Sequence, residues 1–135
     1  MKNAAQKDGI YLNIVSRYRS YDVQEYLYKS YEEKYTNVDT FSAKPGYSEH
    51  QTGLAFDLNG EDPRTSVKDK FEFTKEYEWL RNNAYKYGFI LRYPKGKSDI
   101  TGYKFEPWHY RYVGANISYK LREGNATLEE YLNIY

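Results

Sequence analysis

Residues 48–57 read Ser-Glu-His-Gln-Thr-Gly-Leu-Ala-Phe-Asp, and this stretch joins a loop to a strand. Residues 40–52 contain Pro and Gly and lack the periodicity of a helix or a strand, so they predict a loop. Residues 54–58 predict a strand. His50 therefore lies where the loop ends, and Asp57 lies in the strand that follows.

A second short cluster stands near the end of the chain. Residues 106–109 read Glu-Pro-Trp-His, and residues 108–113 alternate aromatic and charged side chains as a strand does. The chain has 2 His in total, His50 and His109. Each of them has a carboxylate at short spacing and lies at the edge of a predicted strand.

These two clusters contain what a catalytic zinc site needs. Such a site takes three protein ligands, leaves a fourth position for water, and has a nearby base that is not a ligand. His50, Asp57 and His109 would supply the ligands, and Glu106 would supply the base. The other interpretation is one core histidine and one surface histidine. Spacing alone leaves both interpretations open.

Arg19 is a further candidate, because it lies where the first predicted strand ends and a helix begins. A guanidinium in that position could bind a substrate carboxylate through two parallel hydrogen bonds. A surface arginine paired with a helix carboxylate would have the same sequence. Ser48, seen alone, would be only a turn residue.

The remaining elements predict an α+β domain. Helices and strands are mixed without a strict β-α-β alternation, which predicts a small, mainly antiparallel sheet flanked by helices. We expect residues 1–135 to form a single domain with a zinc cleft. The predicted helices are 3–7, 21–35 with Ser20 as a possible N-cap, 71–87, and a short last helix that begins with the capping-box pattern of Thr127 and Glu130. The predicted strands are 10–15, which should be buried, 54–58, 89–93 and 108–113.

Composition excludes several classes of protein. Lys and Arg total 20 against 19 Asp and Glu, so the net charge of +1 requires no electropositive surface, and we expect no nucleic-acid partner. The absence of Cys excludes disulfide scaffolds, cysteine-bound zinc, iron–sulfur clusters and thiol catalysis. A metal would have to be bound by His and carboxylate groups. No uncharged apolar run is long enough to cross a bilayer.

Three segments together resemble a known family. They are 18–24, Tyr-Arg-Ser-Tyr-Asp-Val-Gln; 45–57, from Pro-Gly-Tyr-Ser-Glu-His to Phe-Asp; and 106–114, from Glu-Pro-Trp-His to Val-Gly. These segments are similar to the VanY-type D-alanyl-D-alanine carboxypeptidases, including their L,D-carboxypeptidase branch. That family belongs to the zinc peptidase superfamily that also contains lysostaphin-type enzymes and the hedgehog domain. The resemblance extends from about residue 7 to residue 113.

The resemblance implies a role for each candidate of the metal site. It implies that His50, Asp57 and His109 bind Zn²⁺. It implies that Glu106 activates the water nucleophile on the zinc and then passes the proton to the leaving amine.

The resemblance also implies the substrate pocket. Arg19 would anchor the oxyanion of the transition state or the terminal carboxylate of the substrate, and Gln24 and Ser48 would line the same pocket. One departure is visible, because Arg17 stands where the family usually has Gly. If that Gly permits an unusual backbone angle, Arg17 would change the local geometry.

The activity implied is removal of the C-terminal D-Ala from peptidoglycan stem peptides. The enzyme would be a D,D-carboxypeptidase acting on pentapeptides or an L,D-carboxypeptidase acting on tetrapeptides, and residues 22–45 are where we expect the difference to lie. The alternatives are an inactive module that binds muropeptides of the cell wall and an endopeptidase that cuts cross-links. We expect a monomer outside the cytoplasm, in the cell wall or on a membrane anchor that this sequence does not contain.

Overall fold

A computed structural model describes residues 1–134 of the chain. These residues form a four-stranded sheet with helices around it, as the sequence predicts. The helices are α1 Lys2–Lys7, α2 Tyr21–Glu32, α3 Lys75–Asn83, α4 Ser98–Thr101, α5 Ala115–Gly124 and α6 Leu128–Leu132. The strands are β1 Asn13–Ser16, β2 Ala55–Asn59, β3 Phe89–Leu91 and β4 His109–Tyr112.

The sheet is antiparallel throughout, with the strand order β1-β2-β4-β3. The two central strands, β2 and β4, carry the two clusters found in the sequence, and Asp57 lies directly opposite His109 in their register. Directly opposite residues of an antiparallel pair project from the same face of the sheet with neighbouring side chains. The pairing of β2 with β4 therefore brings the two clusters together.

Successive side chains of β2 and β4 point alternately into the hydrophobic core and to the opposite face of the sheet. Leu58 and Tyr110 pack in the hydrophobic core beneath the sheet, and both are almost fully buried. Asp57 and His109 are the preceding residues in their strands and point to the other face, because successive side chains alternate. The rest of the core is aromatic and aliphatic and includes Ala5, Leu12, Phe71, Tyr77, Trp79, Leu80, Ala84 and Trp108.

Side-chain caps set several helix ends. Ser20 Oγ accepts from the backbone N–H of Val23 at 3.3 Å, so α2 begins where the sequence predicts. The capping box of α6 is confirmed, because Thr127 Oγ1 accepts from the Glu130 N–H and the Glu130 carboxylate accepts from the Thr127 N–H. Neither cap depends on distant parts of the chain.

Some predicted boundaries are wrong. Residues 71–87 do not form one helix: α3 is flanked by 3-10 turns at Asp69–Phe73 and Ala84–Tyr87, because Thr74 caps α3 from within the predicted span. The strand predicted at 10–15 is only Asn13–Ser16, and Ile14 and Val15 are 43% and 46% exposed because β1 is an edge strand. The helices α4 and α5 were not expected. None of the helices in residues 1–134 has the length and apolarity that crossing a bilayer requires.

Gly88, which ends the 3-10 turn after α3, gives a testable prediction. Its φ is +82°, and a Cβ there would lie 2.6 Å from the ring of Tyr112 and 3.1 Å from the backbone of Gly114. We expect Gly88→Ala to lower the free energy of unfolding by about 2–4 kcal/mol, because it adds a steric clash to left-handed strain. Urea denaturation measures this change.

The matched control is Gly96→Ala. Gly96 has nearly the same φ, +77°, but a Cβ there would meet no atom within 4 Å. Its cost should be the backbone strain alone, about 1 kcal/mol. Equal losses for the two variants would show that the contact with Tyr112 does not matter.

Candidate metal centre and active site

Three buried side chains converge above the centre of the sheet. One ligand atom from each of His50, Asp57 and His109 lies within 4.8 Å of the others. His50 lies on the 3-10 turn Glu49–Thr52, and Gly53 then adopts a left-handed conformation with a φ of +72°, which turns the chain into β2. The predicted zinc ligands are therefore adjacent in space, and no other such group occurs in residues 1–134.

Hydrogen bonds to the far nitrogen orient each imidazole. His50 Nδ1 lies 2.8 Å from the backbone oxygen of Arg17. Because a carbonyl oxygen only accepts, Nδ1 is the protonated nitrogen and Nε2, 3.3 Å from Asp57 Oδ2, is free to bind a metal. His109 is arranged in the opposite sense: Nε2 lies 3.4 Å from Glu49 Oε2, and Nδ1 lies 3.2 Å from Asp57 Oδ1. Each histidine thus presents one nitrogen to Asp57.

The donor set fits zinc. Asp57 Oδ1 is buried and accepts no hydrogen bond, although His109 Nδ1 is only 3.2 Å away. A close approach without hydrogen-bond geometry is expected when both atoms are directed at a common third atom. Two imidazole nitrogens and one carboxylate oxygen, each supported by a neighbour, are the ligands of catalytic zinc sites that keep a position open.

Glu106 lies beside the three ligands. Its Oε2 is 3.6 Å from His109 Nδ1, and its side chain is 7% exposed. The pKa of Glu106 is raised to about 7, mainly by burial; His109 opposes this change, and the negative charge of Asp57 supports it. Burial also favours the neutral form of Asp57, but the two neighbouring imidazoles lower its pKa overall. The two carboxyl groups therefore differ in proton affinity, as an acid–base residue and a ligand should.

Arg19 lines the same cleft and is held by its neighbours. Its Nη1 donates to Gln24 Oε1 at 2.8 Å, its Nη2 donates to Ser16 Oγ at 3.0 Å, and Nη2 lies 3.9 Å from Asp57 Oδ2. Gln24 is 1% exposed, and its amide nitrogen donates to the backbone oxygen of Ala43. The structure thus places Gln24 behind Arg19, and a direct contact of Gln24 with substrate stays a prediction.

The two remaining sequence expectations concern Ser48 and Arg17. Ser48 is buried and lines the cleft beside His50. Arg17 is not among the residues of positive φ, so this chain does not need Gly at that position. The contact that matters at residue 17 is its backbone oxygen, which any amino acid would supply.

The cleft continues beyond the metal ligands. It has a volume of about 400 Å³, and its far wall is formed by Tyr31, Tyr35 and Phe41, whose rings pack edge to face. These residues belong to the segment 22–45 in which we expect substrate selectivity. A second cavity of about 450 Å³ lies between α3, β3 and α5, but it contains none of the metal-binding side chains.

Sequence reasoning missed Glu49 as a functional residue. Its carboxylate contacts His109 through Oε2, and its Oε1 accepts a hydrogen bond from Arg92 Nε at 2.8 Å. Arg111 Nη1 forms an ion pair with the same oxygen at 3.0 Å. Burial favours the neutral form, but the hydrogen bond with His109 and the charge of Arg92 lower the pKa of Glu49 to about 2. The only signal in the sequence was its place beside His50, because the arginines are more than 40 residues away.

Comparisons with known proteins show which family this chain belongs to. A family model described as "VanY: D-alanyl-D-alanine carboxypeptidase" matches residues 1–115. The chain belongs to the VanY family. The Bacillus subtilis protein YodJ, which is named as a carboxypeptidase, is 44% identical over 136 residues. The match covers 97% of this chain and 49% of that protein. A D-alanyl-D-alanine carboxypeptidase of Enterococcus faecalis is 40% identical over 97% of this chain and 51% of that protein.

Solved structures of the VanY family agree with the fold. One is the LdcB LD-carboxypeptidase, whose structure is described as revealing the molecular basis of peptidoglycan recognition. It has a TM-score of 0.89 and 44% identity, over 97% of this chain and 62% of its own. A VanY D,D-pentapeptidase variant in complex with Zn(II) has a TM-score of 0.82 and 39% identity over 97% of this chain and 76% of its own. The present chain spans about half the length of the curated relatives it matches.

Metal binding should release protons from this VanY-family site. Burial opposes a charge on His109, but Asp57 and Glu49 raise its pKa to about 9, so the imidazole carries a proton at pH 7. A zinc ion can bind only the neutral imidazole, so we expect roughly one proton to leave for each zinc ion bound. Titration calorimetry at pH 7 in buffers of different ionisation enthalpy measures this number.

The control for this prediction is the titration of zinc into a simple chelator in the same buffers. It corrects for contacts between the buffer and the metal. A binding enthalpy that is independent of the buffer would contradict the prediction.

Proposed function

We propose that this chain is a zinc carboxypeptidase that removes the C-terminal D-Ala from peptidoglycan stem peptides. The observation that carries the proposal is the convergence of three metal-binding side chains, an acid–base carboxyl and an arginine in one cleft. A carboxypeptidase needs these three functions, because it attacks one carbonyl, stabilises the oxyanion and recognises a free carboxylate. The names of the VanY-family relatives support the same reaction.

His50, Asp57 and His109 would hold the zinc ion. When bound there, zinc supplies Lewis acidity and lowers the pKa of water to about 7. The protein contributes orientation: the backbone at residue 17 and the Glu49 carboxylate hold the two imidazoles in fixed directions. Fixed ligands reduce the reorganisation needed during the reaction.

Glu106 would carry the proton. Its Oε2 accepts a proton from the attacking water and later donates it to the nitrogen of the leaving D-Ala. A pKa of about 7 suits both steps, because a group half-protonated near neutral pH can act as base and then as acid. Glu106 is 5% exposed, so this carboxyl is largely shielded from bulk solvent.

Arg19 would bind the terminal carboxylate of the substrate or the developing oxyanion. Gln24 and Ser16 accept hydrogen bonds from two of its nitrogens, so the guanidinium does not have to be ordered when substrate binds. Preorganised charge of this kind contributes more to binding than a flexible surface arginine does.

Substrate selectivity would come from the aromatic wall of Tyr31, Tyr35 and Phe41. D,D- and L,D-carboxypeptidases differ in the chirality of the penultimate residue, which must lie next to the scissile bond. Relatives of both kinds support the two possibilities: VanYB is described in complex with D-alanine-D-alanine, and LdcB as an LD-carboxypeptidase. Because peptidoglycan lies outside the cytoplasmic membrane, we place the activity there.

Mass spectrometry of a mixture of pentapeptide and tetrapeptide stems tests the function. With zinc, loss of D-Ala from the pentapeptide alone would establish a D,D-carboxypeptidase, and conversion of tetrapeptide to tripeptide would establish L,D cleavage. A parallel reaction with a chelator should give no product. Zinc-loaded protein that binds the stems but cleaves neither would replace the proposal with a binding module.

Replacement of Glu106 by Gln should separate metal binding from turnover. We expect Glu106→Gln to keep the affinity for zinc and to lower kcat at least about 100-fold, because the proton acceptor is lost. Stripped of metal, the variant should unfold at a higher temperature than the unmodified protein above pH 7. Because the pKa of Glu106 is raised from 4.5 to about 7 in the fold, its ionisation costs stability increasingly as the pH rises from about 4.5 through about 7, and Gln does not ionise. Unchanged turnover would remove Glu106 from the acid–base role.

Replacement of Arg19 should weaken recognition of the substrate's terminal carboxylate. We expect Arg19→Met to lower kcat/KM about 100-fold for a peptide with a free C-terminus. The variant should change cleavage of the C-terminal amide of the same peptide much less, since the amide has no charge to pair. The control is Arg122→Met, an exposed arginine on α5 outside the cleft. Equal losses on both substrates would assign Arg19 to the oxyanion instead.

A further inference from the structure

Four side chains form a series of contacts between the last helix and the metal site. Glu129 lies on α6, Arg92 directly follows β3, Glu49 begins the 3-10 turn before β2, and His109 begins β4. We call these four residues the relay. Four separate elements of the chain thus meet through charged groups on the site face of the sheet.

The relay consists of three hydrogen bonds and one longer contact, all largely shielded from solvent. Arg92 Nη1 and Nη2 donate to the two oxygens of Glu129 at 2.9 and 2.5 Å, and Arg92 Nε donates to Glu49 Oε1 at 2.8 Å. The second oxygen of Glu49, Oε2, lies 3.4 Å from His109 Nε2. The side chains of Arg92, Glu49 and Glu129 are 11%, 13% and 11% exposed. Buried charges of this kind are strongly held, because separating one pair leaves an uncompensated charge.

The shape of the guanidinium explains why one residue can serve both carboxylates. Its two terminal nitrogens form a fork that matches the oxygens of Glu129, while Nε points along the other edge to Glu49. Arg111 Nη1 forms an ion pair with the same Glu49 oxygen at 3.0 Å. Two arginines therefore hold Oε1, and Oε2 stays directed at His109.

We propose that the relay positions His109 for metal binding: Glu129 holds Arg92, Arg92 holds Glu49, and Glu49 accepts the Nε2–H of His109, so that Nδ1 faces Asp57. The proposal rests on the proposed zinc site and adds positioning residues to it. Glu129 lies beyond residues 1–115, which the family model matches, so the family motifs do not point to it. Through the relay, α6 controls the geometry of a candidate ligand at the start of β4.

Two substitutions test the relay. Glu49→Gln weakens the acceptor of His109, and we expect zinc affinity to fall about 10- to 100-fold. Glu129→Gln leaves Glu49 in place but releases one end of Arg92, and the expected loss of affinity is about 3- to 10-fold. The dissociation constants are measured by competition with a fluorescent chelator, far below the unfolding temperature of each variant.

Glu130→Gln is the matched control. Glu130 is the next residue of α6 and, like Glu129, forms an ion pair. Its partner is Lys97, at 2.8 Å, and not a residue of the relay. A Gln at this position retains the oxygen that caps the helix. The control removes an ion pair from the same helix and should leave zinc affinity unchanged. An equal loss for Glu130→Gln and Glu129→Gln would show that only the stability of α6 matters, and it would overturn the proposal.

The histidine spectrum gives a readout that helix stability does not change. The chain has 2 His, so long-range ¹⁵N–¹H spectra resolve both imidazoles. In the zinc-loaded protein we expect Nε2 of His109 to carry the proton. In Glu49→Gln and Glu129→Gln before zinc is added, the shifts of His109 should move while those of His50 stay. Unmoved His109 shifts in both variants would overturn the relay.

The double variant shows whether Glu129 acts through Glu49. If it does, Glu49→Gln with Glu129→Gln loses no more zinc affinity than Glu49→Gln alone, because residues in one network are not additive. Losses that multiply would mean that Glu129 acts independently and would overturn the relay. The unmodified protein is measured in parallel for zinc binding and for cleavage. Failure of these two measurements would refute the proposed function, whereas failure of the variants alone refutes only the relay.

Discussion

The register between β2 and β4 is the constraint on which the site depends. Asp57 faces His109 across this pair, and the neighbouring residues Leu58 and Tyr110 fill the core on the opposite face. A shift of one residue in either strand would move a candidate metal ligand into the core and an apolar side chain into the cleft. The hydrophobic effect that buries Leu58 and Tyr110 therefore also holds the ligands in place. The core and the candidate metal site use alternate positions of the same two strands.

Buried charge is the second organising feature. Asp57, Glu106 and Glu49 all lie close to His109, so three carboxyl groups are crowded around one imidazole. Their environments keep them apart chemically: cationic neighbours lower the pKa of Glu49 and burial raises that of Glu106. Neighbouring carboxyl groups with different proton affinities are common in catalytic sites. The three carboxyl groups are thus suited to different tasks: metal binding by Asp57, proton transfer by Glu106 and orientation of His109 by Glu49.

The sequence predicted features that depend on neighbouring residues and missed most of those that depend on distant ones. Ser20 at the start of α2 and the capping box of Thr127 were predictable because each involves residues three positions apart. The break of the helix predicted at 71–87 was not, because the apolar periodicity continues across it although Thr74 starts a new helix. The exposure of Ile14 was also unpredictable, because it depends on β1 being at the edge of the sheet. For the site, the ligands stood in recognisable motifs, whereas Glu49 gained its role only from contacts more than 40 residues away.

The sequence by itself determined the antiparallel α+β class, the candidate ligands His50, Asp57 and His109, and the carboxyl of Glu106. These features lie in short segments whose spacing and alternation are local, and with no Cys the choice of metal ligands was narrow. Only the tertiary structure decided which nitrogen of each histidine faces Asp57 and how deeply Glu106 is buried. It also showed that the C-terminal helix reaches the site through Arg92. The physical reason is that tautomer, pKa and ion pairing depend on groups brought together by folding, and the sequence does not specify their distances.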